Sequence, residues 1–130
     1  MIKFEKVKRF ENVDITLPER KTANSAGYDF AVAEDIVIPS YEVMRKTMDI
    51  PSSIYDIEDL STVAAFTKNF KFKPTLVPTG VKCALEPDTY LGLTIRSSSP
   101  LKYWLMLANG EGIIDADYYG NEDNDGEIFF

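Results

Sequence analysis

The chain contains no histidine. Proton transfer near neutral pH therefore falls to a carboxylate, the single cysteine, a lysine or a tyrosine. That single cysteine, Cys83, cannot form an intramolecular disulfide, and a four-ligand zinc site of Cys and His is missing with it. A reducing, cytoplasmic compartment fits this usage. Positive charge is scarce too: 14 Lys and Arg stand against 21 Asp and Glu, a net charge of −7. This balance argues against binding to nucleic-acid backbone, which needs cations to displace counterions. An anionic small molecule would need a local cation cluster or a metal ion to overcome the overall repulsion. No apolar run is long enough to cross a membrane. The N-terminal "MIKFEKVKRF" lacks the apolar core of a signal peptide.

What is present reads as an ordinary globular domain. The 130 residues are 45% hydrophobic and 27% charged, enough for one domain with a core of its own. Most of the chain alternates in the manner of short strands. "SAGYDFAVAEDIVIPSYEV" alternates around Pro39, and "TLVPTGVKCALEPDTYLGLTI" is punctuated at "PTG" and "EPD". In "TYLGLTI", Leu91, Leu93 and Ile95 share one face, while Tyr90, Gly92 and Thr94 share the other. "KYWLMLANG" and "GEIFF" read as two further strands. The spacing predicts an all-β barrel or sandwich. One segment differs. In residues 52–73, Ile54, Ile57, Leu60, Val63 and Ala64 recur at helical spacing, so a short helical insert is expected there. The chain stops at Ile128-Phe129-Phe130, where a buried strand is expected to run on.

Three short stretches carry possible chemistry. "SAGYDF" places Asp29 after a strand-entry glycine, where it could hold a metal ion or its water. "IRSSSP" ends an apolar strand with Arg96, Ser97 and Ser98. A guanidinium, hydroxyls and backbone N–H groups together suit phosphate oxygens. "GEGIIDADYYG" puts Asp115 directly after Ile113 and Ile114, with Tyr118 beyond it. Flanking isoleucines would reduce the solvation of a general base and hold it in place. Taken singly, the first two stretches read more readily as a strand entry and a serine-rich turn, and the third as readily as a hairpin with acidic turn residues.

Their order is more specific than any one of them. "AGYDF", then "RSSS", then "NGEGIIDADYYG" resembles the trimeric dUTPase family, and the interval from Arg96 to Asp115 is similar to the family's. The intervening "LVPTGVKCALEPDTYLGLTIRS" also resembles the family's middle strands, so the likeness runs from about Leu17 to the end. It implies a jelly-roll-like β-barrel with a short helical insert, a homotrimer with sites between subunits, and Mg²⁺-assisted hydrolysis of dUTP to dUMP and pyrophosphate. By the same likeness, Asp29 acts on the Mg²⁺ through water. Arg96, Ser97 and Ser98 contact the phosphates, and Asp115 orients and deprotonates the attacking water. Tyr118 packs on the deoxyribose and leaves no room for a 2′-hydroxyl. Asn109, with the backbone near Gly112 and Ile114, reads the uracil edge.

The chain departs from the family pattern in three ways. The interval from Asp29 to Arg96 is long, with the excess in the helical insert, which is read as an elaborated loop or a protein-binding device. The acidic "GNEDNDGE" is read as a solvated turn. Neither the family's fourth motif nor its glycine-rich C-terminal arm is found. An insert of this kind is similar to phage-type dUTPases, some of which act as protein-binding regulators, so a non-catalytic binder is the alternative. dCTP deaminase shares the "RSS" signature, but it places a proline–glycine pair after the third-motif aspartate and a glutamate further on as its base, whereas "DADYY" has a tyrosine where the dUTPases have theirs.

Overall fold

The computed structural model describes residues 2–40 and 74–130. The chain divides into two compact units, Met1–Ile36 with Leu76–Phe130, and Val37–Thr75. Nearly all of the second unit lies outside the described residues, and so does the helical insert expected at 52–73.

The first unit is built from short antiparallel pairs. Strand β1 (Lys3–Lys6) pairs with β2 (Val81–Ala84), Phe4 opposite Cys83. Strand β3 (Tyr90–Leu93) pairs with β4 (Gly112–Asp115). Extended chain continues these pairs. Val77 and Phe130 exchange two backbone hydrogen bonds, and the N–H of Ile128 donates to the Val81 carbonyl. The expected "GEIFF" strand is met only in part: Gly126 lies in a turn, and the rest runs along residues 77–81 with an isolated bridge between Pro78 and Phe129. Among the described residues the buried apolar set is Val7, Phe10, Val77, Val81, Cys83, Leu93 and Ile128. Burial pushes the Cys83 thiol up to about 11, so this cysteine is a small core hydrophobe and not a nucleophile.

Alternation explains how the first motif presents its aspartate. Phe4 meets Tyr28 and Phe30 edge-on at centroid distances of 5.1 and 5.4 Å, and Phe30 meets Phe130 at 5.7 Å. Each such ring pair adds about 0.5–1.5 kcal/mol beyond simple burial. Extended backbone places alternate residues on opposite faces. With Tyr28 and Phe30 held against Phe4, Asp29 between them is turned away from the rings. Its N–H donates to the Glu19 carbonyl at 2.9 Å, which fixes that segment further.

One strand expectation fails. "KYWLMLANG" does not extend. Helix α1 (Ser98–Tyr103) occupies its start and closes at Trp104, whose backbone is left-handed at φ 55°. Pro100 sits in the first helical turn, where a missing N–H costs nothing because that group has no intrahelical acceptor. The alternation of Trp104, Leu105 and Met106 meets no partner strand among the described residues. Trp104 is 87% exposed and Met106 76%.

Candidate active site

The third motif rides on the β3–β4 hairpin, and the register decides which side chains it offers. Tyr90 stands opposite Asp115, Leu91 opposite Ile114, Gly92 opposite Ile113 and Leu93 opposite Gly112. Directly opposed residues share a face, so Leu91, Leu93, Gly112 and Ile114 form the inner side. Leu91 and Ile114 pack on the cluster of Cys83, Leu93 and Ile128. Asp115 and Ile113 belong to the outer side, and Ile113 is 51% exposed. The two isoleucines therefore do different things. Ile114 anchors the strand, whereas Ile113 is presented outward beside an exposed Asp115. The expectation that both shield the carboxylate from water is corrected on this point. A period of two cannot bury consecutive residues on one sheet face.

Asp115, Tyr90 and Asp117 line a cavity of about 600 Å³ together with Leu85 and Pro87. Strand β4 pairs only with β3 among the described residues, so its other edge has no strand partner there. Asn109 lies exposed in the turn that precedes β4, where the N–H of Gly110 donates to Leu107 at 3.0 Å.

The first two motifs meet each other in space. The Arg96 guanidinium lies 3.9 Å from the Asp29 carboxylate, with side-chain exposures of 77% and 34%. Arg96 ends the chain run after β3, and its carbonyl accepts the N–H of Ser99 at 2.9 Å to open α1. Ser97 makes no side-chain capping bond, and both Ser97 and Ser98 are exposed. Neither Asp29 nor Arg96 lines the cavity of Asp115. Within one chain the sequence-predicted residues thus form two groups, Asp29 with Arg96 and Asp115 with the hairpin. No cluster of three or more carboxylate, Cys or His groups suited to a metal ion occurs among the described residues.

Tyr118 follows β4 on a short 3₁₀ turn, Ala116–Tyr118. Its hydroxyl donates to the Glu127 carbonyl at 3.1 Å and accepts the Asn124 amide N–H at 2.7 Å. The neighbouring Tyr119 turns elsewhere, donating to Glu5 at 2.5 Å with the Lys82 ammonium 5.0 Å from its ring.

The acidic stretch that binds Tyr118 is not the solvated turn expected from composition. The Asn121 side chain accepts the N–H groups of Asp123 and Asn124, and Asn124 accepts that of Gly126. Gly126 sits at φ 79°, and a Cβ there would lie 2.7 Å from the Gly120 nitrogen and the Tyr118 oxygen, so only glycine fits. Two carboxylates then dock on the body. Asp125 accepts the Lys8 N–H at 2.9 Å and the Lys82 ammonium at 3.0 Å. Glu127, 1% exposed, receives both arms of the Arg9 guanidinium at 2.5 and 2.7 Å and the Gly80 N–H at 3.2 Å. Their partners lie in the N-terminal segment and around β2, distant in sequence, which is why composition alone read these charges as solvated.

The Lys8 N–H, then Lys82, hold the Asp125 carboxyl below its ordinary value. A depressed folded value means the contact stabilises the protein above the unfolded value near pH 4 and is lost as pH falls through the folded one. Asp125→Asn is therefore expected to flatten the acid limb of stability below about pH 4. Urea midpoints measured across that range check it, and parallel curves for the two proteins would count against the contact.

The chain and its fold have counterparts among known proteins. No family model matches the chain. The deoxyuridine 5′-triphosphate nucleotidohydrolase of Lactococcus lactis is 32% identical over 126 residues, covering 97% of this chain and 63% of the relative. That of Rickettsia felis is 29% identical over 117 residues, 88% of this chain and 58% of the relative. The crystal structure of dUTPase from Streptococcus mutans superposes with a TM-score of 0.65 at 34% identity, covering 97% of this chain and 73% of that one. The fold is the all-β, jelly-roll-like architecture of that structure, and the chain belongs to the dUTPase family. It spans a little under two thirds of the length of the two curated relatives.

Proposed function

We propose that this chain hydrolyses dUTP to dUMP and pyrophosphate as a cytoplasmic enzyme. The observation that carries the reading is the approach of Arg96 to Asp29 at 3.9 Å. It joins a phosphate-binding cation and a metal-side carboxylate that lie far apart in the chain. Arg96, with the exposed hydroxyls of Ser97 and Ser98, binds phosphate oxygens by charge-assisted hydrogen bonds. Asp29 would hold Mg²⁺ through water. One carboxylate fits an ion that keeps most of its waters and is otherwise bound by phosphates. When bound, Mg²⁺ supplies charge neutralisation on the triphosphate. Asp115 orients a water for in-line attack on the α-phosphorus and takes its proton. The bond to the bridging α–β oxygen breaks, and pyrophosphate leaves. Tyr118 packs on the deoxyribose. Asn109 and the free edge of β4 at Gly112 and Ile114 hydrogen-bond the uracil.

A homotrimer completes the site. This part of the reading is supported by the separation of Asp29 and Arg96 from the Asp115 cavity within one chain. It is also supported by Leu101, Tyr103, Trp104 and Met106, all at least 68% exposed and together forming an apolar stretch that a second copy would cover. The single buried thiol fits a reducing compartment.

The test is pyrophosphate release with Mg²⁺ from dUTP, dCTP, dTTP and UTP in parallel. Release from dUTP alone is expected. A dUTP-induced rise in melting temperature without release from any of the four would mark a nucleotide binder and overturn the reading.

A further inference from the structure

The acidic loop has a use that its charges do not explain. Of its four carboxylates, Asp125 and Glu127 are tied to the body, while the Tyr118 hydroxyl is met by an amide, that of Asn124. Asn124 and Tyr118 line the same shallow cavity, together with Asp117, Asn121 and Asp123. We infer that Asn124 is a positioning residue for the Tyr118 ring, making the Gly120–Glu127 loop a determinant of sugar choice. This inference rests on the proposed packing of Tyr118 against deoxyribose.

The geometry gives the ring little freedom. A phenol held only by packing can tilt about its two side-chain bonds and open room for a 2′-hydroxyl. The Tyr118 hydroxyl is instead caught from two sides, donating to the Glu127 carbonyl and accepting from Asn124. Both partners belong to a rigid frame. The Asn124 Oδ1 accepts from Gly126 and from the Asn121 amide, which leaves its Nδ2 free to turn to the tyrosine. The Asn121 amide also donates to the Tyr118 carbonyl at 3.0 Å, so the loop grips the tyrosine at both ends. Glu127 is locked by Arg9, and Asp125 by Lys8 and Lys82. Steric exclusion of one hydroxyl works only if the excluding wall does not yield, and this frame keeps it from yielding.

The test compares binding of the non-hydrolysable α,β-imido analogues of dUTP and UTP by calorimetry with Mg²⁺. Wild type, Asn124→Ala, Tyr118→Phe and the double variant are measured. The preference for the deoxy analogue is expected to fall by roughly tenfold in each single variant, the scale on which one small group in a pocket discriminates. The double variant should fall no further, because both changes remove the same contact. A merely structural role for Asn124 would lower melting temperature and leave the preference unchanged, which overturns the inference. Tyr118→Phe keeps the loop's own bonds and serves as the test if Asn124→Ala does not fold. An unchanged preference in Tyr118→Phe overturns it equally. Wild type that binds both analogues alike overturns it as well, whereas failure of the functional reading is seen separately, as no pyrophosphate release from dUTP.

Discussion

Asp115→Asn is expected to lower dUTP turnover by about 10²–10⁴-fold, the range for a positioned acid–base group. With no histidine in the chain, the proton of the attacking water has few other destinations near neutral pH. Cys83 is buried with its thiol pushed up to about 11, so it offers no substitute base. The loss should fall on kcat and leave KM within a few-fold, because an amide keeps the shape of the site and can still hydrogen-bond the water. The variant should also be as stable as wild type. Asp115 lies exposed on the outer face of β4, and Ile114 carries the anchoring of the strand. Steady-state pyrophosphate release with a parallel urea titration checks both halves. Turnover within threefold of wild type, as an order-of-magnitude criterion for an unneeded base, would remove Asp115 from the mechanism.

The second large effect is on stability. Arg9→Ala should cost about 3 kcal/mol, since removing the exposed partner of a half-buried ion pair strands the buried carboxylate. The asymmetry of the pair decides which side matters. Arg9 is 52% exposed and Glu127 only 1%. Without Arg9 the Glu127 carboxylate keeps one donor, the Gly80 N–H at 3.2 Å, in a place closed to water. Without Glu127, the guanidinium can still reach solvent and retains its approach to the Phe10 ring at 4.6 Å. Glu127→Gln should therefore cost less than Arg9→Ala. For a domain this size the larger loss corresponds to a fall in Tm on the order of 10 °C. Thermal and urea unfolding of the two variants give the comparison. A cost for Arg9→Ala below about 0.5 kcal/mol, the level of an ordinary surface change, would mean that the clasp adds nothing.

Much was legible in the residues alone. The all-β class followed from strand-length alternation between glycine and proline breaks, which depends only on neighbours along the chain. The family followed from three motifs in order, and the inward face of Leu91 and Leu93 from a period of two. Other features required partners distant in sequence. "KYWLML" alternates like a strand, but a strand needs a neighbour to hydrogen-bond, and Pro100 with Trp104 in a left-handed conformation shapes a helical turn instead. Ile113 and Ile114 are identical in chemistry, and only the register against β3 makes one core and the other surface. Glu127 and Asp125 look like any solvated acidic run, yet Arg9, Lys8 and Lys82 reach them across more than forty residues of chain. The contact between Asn124 and Tyr118 is local in sequence but depends on the turn at Gly126 and the docking of its neighbours. Local pattern sets what each segment can form. Which charges are buried, which faces meet and which side chains are held still are decided by long-range contacts, because burial and pairing belong to the packed chain and not to any one stretch of it.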